Sequence, residues 1–187
     1  EMQRSLVGSE MCIRDRNKTG FGFVPEDRLG MGLIASSDMV DNMVLKSYKD
    51  EAGAFLHRKK AADIAKYLIK KLDIATPGIH TPVRMLSGGN VQKVLLGREI
   101  EAGRDVLIVS YPVRGLDINS SYMIYNLLDE ERKRGTAIIF VGEDLDVLMA
   151  LSDRIMVMAD HRIAGITDAR TVTKDYLGSL MTDTKGQ

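Results

Sequence analysis

The feature that most constrains the fold is an alternation of apolar, strand-like runs with helix-like segments in the second half of the chain. Val106–Val109 is a run of four apolar residues with β-branched members, which predicts a buried strand. A helix is predicted over Asn119–Arg134 with Gly135 as its stop, and Thr136–Val141 predicts a second buried strand. Because strand–helix–strand units make crossover connections, the pattern predicts an α/β fold with a mainly parallel sheet and flanking helices.

Shorter patterns on either side extend this architecture. Phe21–Val24 predicts a strand that runs into a loop at Pro25-Glu26-Asp27. Arg58–Leu72 predicts an amphipathic helix, because its apolar residues recur at helical spacing along one stripe. The remaining predicted elements are helices at Asp41–Leu45, Leu145–Leu151 and Thr173–Met181, and strands at Arg154–Met158 and Arg162–Thr167, which a tight turn at Asp160-His161 joins.

Composition excludes several classes of function. Among 187 residues, 26 basic and 26 acidic side chains balance to zero net charge, so the chain has no electrostatic footprint for nucleic acid. No apolar run approaches the ~20 residues of a membrane-spanning helix. A single cysteine, Cys12, excludes an internal disulfide framework. The three histidines are scattered without metal-ligand spacing, so no structural metal site is predicted.

The first residues differ in character from the rest of the chain. Residues 4–16, RSLVGSEMCIRDR, have no helical or strand period and no signal-peptide pattern. The stretch resembles a translated sequencing-adapter read, so we expect residues 1–16 to be non-native and the biological sequence to start near Asn17. The alternative is an ordinary variable loop. We assign Cys12 no role in either case.

The segment most suited to contacting a ligand begins at Ser87. Ser87 stands where a helix N-cap belongs, and Gly88 and Gly89 open the helix behind it. The start of a helix exposes backbone N–H groups and the positive end of the helix dipole, and glycines let a phosphate approach closely. The segment therefore predicts a phosphate contact, with a plain capped helix after a loop as the alternative.

Several further motifs follow in a fixed order. Leu86-Ser-Gly-Gly-Asn90 precedes the Val106–Val109 strand, then come Pro112-x-Arg-Gly-Leu-Asp117 and, beyond another helix and strand, Leu151-Ser-Asp-Arg-Ile155. This order resembles the nucleotide-binding domain of ABC transporters, with its signature helix, Walker B strand, D-loop, switch loop and closing strand. The resemblance covers residues 20–182. It implies a partial ABC-type nucleotide-binding domain with a helical signature subdomain.

A narrower resemblance concerns one class of ABC subunit. Val24-Pro-Glu-Asp-Arg28, the Asn90 in the fifth signature position and the Arg114-Gly-Leu-Asp117 segment are similar to the second half of tandem ATPase subunits of simple-sugar and nucleoside importers. Residues 72–86 resemble the nucleoside branch. The resemblance implies that residues 17–187 are the C-terminal part of one such domain, with a helical subdomain over about 28–102, a catalytic-core remainder over about 103–170 and a tail over 171–187.

The chain departs from the family pattern at its catalytic positions. It contains no G-x-x-x-x-G-K-[S/T] phosphate loop (Walker A), which the family carries upstream of the loop at Glu26, so we expect a fragment. The Walker B carboxylates are replaced by Ser110 and Tyr111, and neither can act as a carboxylate base. Glu143 holds the switch-histidine position and Glu26 the Q-loop glutamine position. The fragment alone is therefore predicted to be inactive as an ATPase.

The resemblance also implies partners. ABC domains work as head-to-tail pairs, so Ser87, Gly88, Gly89 and Asn90 would contact the phosphates of ATP held by a second ABC domain, with Asp117 as the D-loop aspartate at the interface. ATP and Mg²⁺ would be the cofactors, mostly held by the missing or partner domain. A membrane permease and a substrate-binding protein would be further partners, and the ATPase subunit would lie peripherally on the cytoplasmic face of the membrane. A soluble ABC-type ATPase switch without a transport role is the alternative.

The segment from about Arg28 to Leu56 has two interpretations. In the family it lies where the domain touches the permease, and on its residues alone it is a surface loop with a small helix. Its glycines and mixed polarity fit either interpretation.

Overall fold

The computed structural model describes residues 20–47 and 58–182 of the chain. The predicted non-native stretch 1–16, Cys12, the expected start at Asn17 and part of the 28–56 segment lie outside the described residues. The chain divides into two compact units, the first ending at Ile139 and the second beginning at Phe140. The predicted subdomain boundaries near residues 102 and 170 stay predictions.

A three-stranded sheet organises the first unit. Its strands are β1 (Phe21–Val24), β2 (Val106–Ser110) and β3 (Ala137–Val141), in the order β1-β2-β3, with the division between the two units falling inside β3. β1 and β2 are parallel, in a register that sets Phe21 opposite Val106. The predicted α/β architecture with a parallel sheet is confirmed.

Four helices accompany this sheet. They are α1 (Met39–Ser47), α2 (Arg58–Lys71), α3 (Gly88–Glu101) and α4 (Ile118–Lys133), with a five-residue π-helical turn at Arg28–Gly32 and a 3-10 turn at Val83–Met85. The bounds of α2 and α4 agree with the predicted helices to within one residue at each end. α1 is longer than the predicted 41–45 helix.

α3 forms the centre of the first unit. Its residues from Val91 to Glu99 are all buried, and it packs against β1, α1, α2 and α4. Gly97 allows its approach to α2, because a Cβ at this position would lie 2.8 Å from the Leu68 side chain. The N-terminal end of α3 is thus attached to the most deeply buried element of this unit.

Two predictions of fully buried strands are wrong. In β2, Leu107 and Val109 are buried but Val106, Ile108 and Ser110 are only half-buried, and β3 has no fully buried residue. Ile139 in β3 is 50% exposed. The apolar runs are those of a sheet covered on both faces, whereas the described residues cover only one face.

A buried ion cluster joins three parts of the first unit. Glu99 on α3 is fully buried, and its Oε1 lies 3.0 Å from Lys46 Nζ of α1 and 2.9 Å from Arg98 Nη2. Arg98, itself buried, also donates a 2.7 Å hydrogen bond to the carbonyl of Gly32 in the π-helical turn. The cluster therefore fixes α1 and the π-helical turn to α3.

The second unit contains an antiparallel hairpin. β4 (Arg154–Ala159) and β5 (Arg162–Asp168) pair through a turn in which Asp160 and His161 both have positive φ, which confirms the predicted tight turn. α5 (Leu145–Leu151) and α6 (Lys174–Thr182) complete this unit. Its core is formed by Ile155, Val157, Ala169 and Leu177. Within residues 20–47 and 58–182, no helix combines the length and apolarity that crossing a membrane requires.

Candidate functional site

The start of α3 presents the predicted phosphate-contact segment at the surface. Ser87 is extended, with φ −64° and ψ 156°, and the helix begins at Gly88. The predicted N-cap position is confirmed, but the Ser87 side chain makes no capping hydrogen bond. Ser87 and Gly88 are exposed. The first N–H groups of a helix have no intrahelical acceptor, so this end of α3 retains free backbone donors.

Asn90 contacts the Ser87 hydroxyl directly. The Asn90 side-chain amide donates a 2.9 Å hydrogen bond to Ser87 Oγ, and Asn90 Oδ1 accepts a 3.0 Å hydrogen bond from the backbone N–H of Ala75. Because Ser87 Oγ accepts from Asn90, its own hydrogen remains available to donate to a ligand. Asn90 thus orients the hydroxyl and ties the segment to the chain that follows α2.

We expect Asn90→Ala to lower the free energy of unfolding of the first unit by about 1–2 kcal/mol, because it removes two hydrogen bonds that hold the Ser87 segment. Urea denaturation followed by circular dichroism measures the change. Asn126→Ala, on the exposed face of α4, is the matched control and should stay within about 0.5 kcal/mol of the unsubstituted chain. Equal effects of the two substitutions would contradict this role of Asn90.

Two close approaches place other segments beside the signature glycines. A Cβ at Gly88 would lie 3.4 Å from Arg28 Nη1, and a Cβ at Gly89 would lie 3.0 Å from Ser120 Oγ. Arg28 follows the loop after β1, and Ser120 lies in the first turn of α4. The start of α3 is therefore adjacent both to the segment after β1 and to the segment after β2.

Asp117 lies in this neighbourhood as the N-cap of α4. Its carboxylate accepts hydrogen bonds from the Ser120 hydroxyl at 2.6 Å and from the Ser120 backbone N–H at 2.9 Å. These bonds hold the pKa of the Asp117 carboxyl below its ordinary value. The structure thus brings the predicted D-loop aspartate close to the predicted signature, with Ser120 between them.

Arg114 connects the remaining predicted positions. Its guanidinium forms an ion pair with the carboxylate of Glu26, and it lies over the Tyr111 ring, 5.8 Å from the ring centroid. The backbone carbonyl of Arg114 accepts a hydrogen bond from Arg28. Both arginines belong to motifs visible in the sequence, yet sequence reasoning did not assign them to the site. Their charge within those motifs was the signal that could have found them.

The end of β2 has no acidic side chain. Ser110 ends the strand, and Tyr111 follows in a left-handed conformation with φ +47°. Glu143 lies in the second unit, between β3 and α5. In the part of the chain that the structure describes, no group of three or more histidine, cysteine or acidic side chains is placed to hold a metal ion. At the end of β2 itself, Ser110 and Tyr111 offer hydroxyl groups and no carboxylate.

Solved structures with a similar fold are ABC cassettes. The dimeric structure of MJ0796, a bacterial ABC transporter cassette, matches with a TM-score of 0.67 at 21% identity, over 81% of this chain and 63% of that one. The ADP- and phosphate-bound, post-hydrolysis dimer of the same cassette matches with a TM-score of 0.69 at 20% identity, over 83% of this chain and 65% of that one. The chain has the fold of an ABC-type nucleotide-binding domain.

The curated relatives indicate a narrower class of protein than the solved structures do. A ribose import ATP-binding protein of Corynebacterium glutamicum is 37% identical over 90% of this chain and 32% of its own length. A guanosine import ATP-binding protein of Bacillus subtilis is 36% identical over 90% of this chain and 34% of its own length. A xylose import ATP-binding protein of Moorella thermoacetica is 34% identical over 96% of this chain and 36% of its own length.

The chain is thus homologous to the ATP-binding proteins of ABC sugar and nucleoside importers. It spans about a third of the length of these relatives. No family model matches the sequence.

Proposed function

We propose that this chain forms part of the ATP-binding and ATP-hydrolysing subunit of an ABC importer for simple sugars or nucleosides. The observation that carries the proposal is the start of α3, where Ser87 and Gly88 are exposed and free backbone donors point to the surface. The homology to ribose, xylose and guanosine import ATP-binding proteins supports the importer class. The similarity of residues 72–86 to the nucleoside branch favours a nucleoside.

The signature contributes to an ATP site held mainly by a second ABC domain. The end of β2 supplies only Ser110 and Tyr111, so this chain has no carboxylate there to organise Mg²⁺ or to polarise water. The donors of Ser87, Gly88, Gly89 and Asn90 are available to another molecule because the chain itself leaves them exposed or half-buried. The partner domain supplies the phosphate loop, the metal site and the general base.

The chemistry assigned to this chain is electrostatic. ATP supplies the phosphoryl group whose negative charge shifts during hydrolysis. The Ser87 hydroxyl and the first N–H groups of α3 donate hydrogen bonds to the terminal phosphate, and the positive end of the helix dipole adds to them. Asp117, whose carboxylate accepts hydrogen bonds from Ser120, lies at the interface with the partner domain. Glu26 pairs with Arg114 within this chain, which leaves it unsuited to act as a base.

The complete assembly contains a membrane permease and a substrate-binding protein, and the ATP-binding subunit lies peripherally on the cytoplasmic face of the membrane. Isolated from these partners, the described segment does not hydrolyse ATP. The segment after Arg28 makes the contact with the permease. A hydrogen bond from Arg98 to the carbonyl of Gly32 fixes this segment to α3.

Co-purification tests this function. We expect the full-length subunit that carries this segment to co-purify with a permease, and the complex in liposomes to take up a labelled nucleoside or pentose when ATP is present. Guanosine, ribose and xylose are the three probes. ATPase activity of the full-length subunit without any permease association would instead favour the soluble ABC-type switch.

A further inference from the structure

Arg28 occupies a position that the signature alone does not explain. It is half-buried, and its Nη2 donates to the Arg114 carbonyl. Its second terminal nitrogen, Nη1, lies beside Gly88, at the first turn of α3. The hydrogen bond to the backbone carbonyl holds the guanidinium in place, while the other terminal nitrogen remains directed at the start of α3.

The carboxylates of the neighbouring segments contact groups other than Arg28. The Glu26 carboxylate pairs with Arg114, the Asp117 carboxylate accepts from Ser120, and Asp27 Oδ1 accepts a 2.8 Å hydrogen bond from the Gly30 backbone N–H. Within the described ranges, no carboxylate forms an ion pair with Arg28. Its Nη1 lies instead beside Gly88, at the positive end of the α3 dipole.

Such an arrangement leaves the Nη1 donors of Arg28 available to an anion. Burial lowers the pKa of Arg28, because removal from water disfavours the charged guanidinium. A half-buried cation next to a helix N-terminus gains most from a ligand that carries negative charge and several acceptor oxygens. A terminal phosphate has both properties.

We propose that Arg28 is a further binding residue of the signature site, contacting the terminal phosphate of the nucleotide that the opposing domain holds. The inference rests on the proposed function, because it needs a nucleotide facing Ser87 and Gly88. Arg114 acts as a positioning residue: its carbonyl holds Arg28, and its ion pair with Glu26 and its contact with Tyr111 fix the loop that presents this carbonyl. The site thereby distinguishes a nucleoside triphosphate from a diphosphate by charge as well as by shape.

The test is the preference of the assembled, full-length subunit for a triphosphate over a diphosphate. We expect Arg28→Met to weaken binding of the slowly hydrolysed analogue AMP-PNP by at least ~10-fold, the loss expected of one charged hydrogen bond, and to leave ADP binding unchanged. Arg28→Lys, which keeps the charge, should retain most of the preference. Arg84→Met removes an exposed guanidinium three residues before Ser87 and should change neither affinity.

Each other outcome has a defined meaning. Equal weakening of AMP-PNP and ADP binding by Arg28→Met, or no weakening of either, would overturn the inference, as would an Arg28→Lys variant no better than Arg28→Met. Ser87→Arg in the same assay separates the two proposals. If Ser87→Arg removes the AMP-PNP preference and Arg28→Met does not, only the role of Arg28 fails; if neither changes it, the proposed function fails as well.

Discussion

Replacing Ser87 with arginine is expected to lower the ATP turnover of the assembled subunit by at least ~100-fold, the typical effect of removing a preorganised donor from a reaction that develops negative charge. The substitution deletes the hydroxyl that Asn90 orients. It also places a second bulky cation at an exposed helix start, beside Gly88 and Arg28. The phosphate of the opposing domain would be kept away from the backbone donors. Steady-state phosphate release measures the effect.

A control separates this effect from a loss of folded protein. Ser179→Arg adds the same side chain to an exposed position of α6 in the second unit, and turnover should stay within a factor of two of the unsubstituted subunit (roughly the limit of a surface substitution). Both variants should remain folded, which circular dichroism checks; Ser87→Arg should melt slightly lower because it loses the hydrogen bond from Asn90. Unchanged turnover in Ser87→Arg would refute the assignment of the signature to the ATP site.

Removing the Glu99 carboxylate is expected to be the most destabilising single change in the first unit. Glu99→Ala should lower the free energy of unfolding by about 3–5 kcal/mol, because it leaves the buried Arg98 guanidinium without its counter-charge. Lys46 of α1 loses its partner at the same time. Guanidinium denaturation followed by circular dichroism measures the transition of this unit.

Asp129→Ala is the matched control for Glu99→Ala. Asp129 also contacts two cations, Arg132 at 2.8 Å and Lys133 at 2.6 Å, but all three side chains are exposed or half-buried on the surface of α4. Solvent screens such pairs, so Asp129→Ala should cost much less stability than Glu99→Ala. If the two substitutions cost the same, the Glu99 cluster is not a buried anchor of α3.

Much of the local structure could be predicted because it depends on neighbours in sequence. The apolar stripe of Arg58–Leu72 is enough to specify α2, and the Asp160-His161 pair between two apolar runs is enough to specify a hairpin. The start of α3 was predicted from Ser87 and the two glycines behind it. The ABC resemblance then placed Asp117 and Glu26 in one site by analogy, and the structure brings Arg114 to Glu26 and Ser120 to Gly89.

Other features depend on groups far apart in the chain. The apolar composition of β3 indicates burial, but whether a strand is covered depends on which layers lie on its two faces. The Glu26–Arg114 pair joins residues 88 positions apart, and no periodicity reports such a contact. The hydrogen bond from Asn90 to Ser87 likewise could not be predicted without side-chain geometry. Long-range contacts of this kind, rather than local propensity, decide how the site is built.

The central claim is that the signature contacts a nucleotide held by another domain. The rate of amide hydrogen exchange at the start of α3 tests this claim most directly. The first amides of a helix lack intrahelical acceptors, so those of Gly88, Gly89 and Asn90 should exchange rapidly in the free subunit. In the assembled subunit, AMP-PNP should slow their exchange and ADP should not, because only the triphosphate supplies an acceptor that reaches this turn. Exchange that remains rapid with AMP-PNP bound would contradict the central claim.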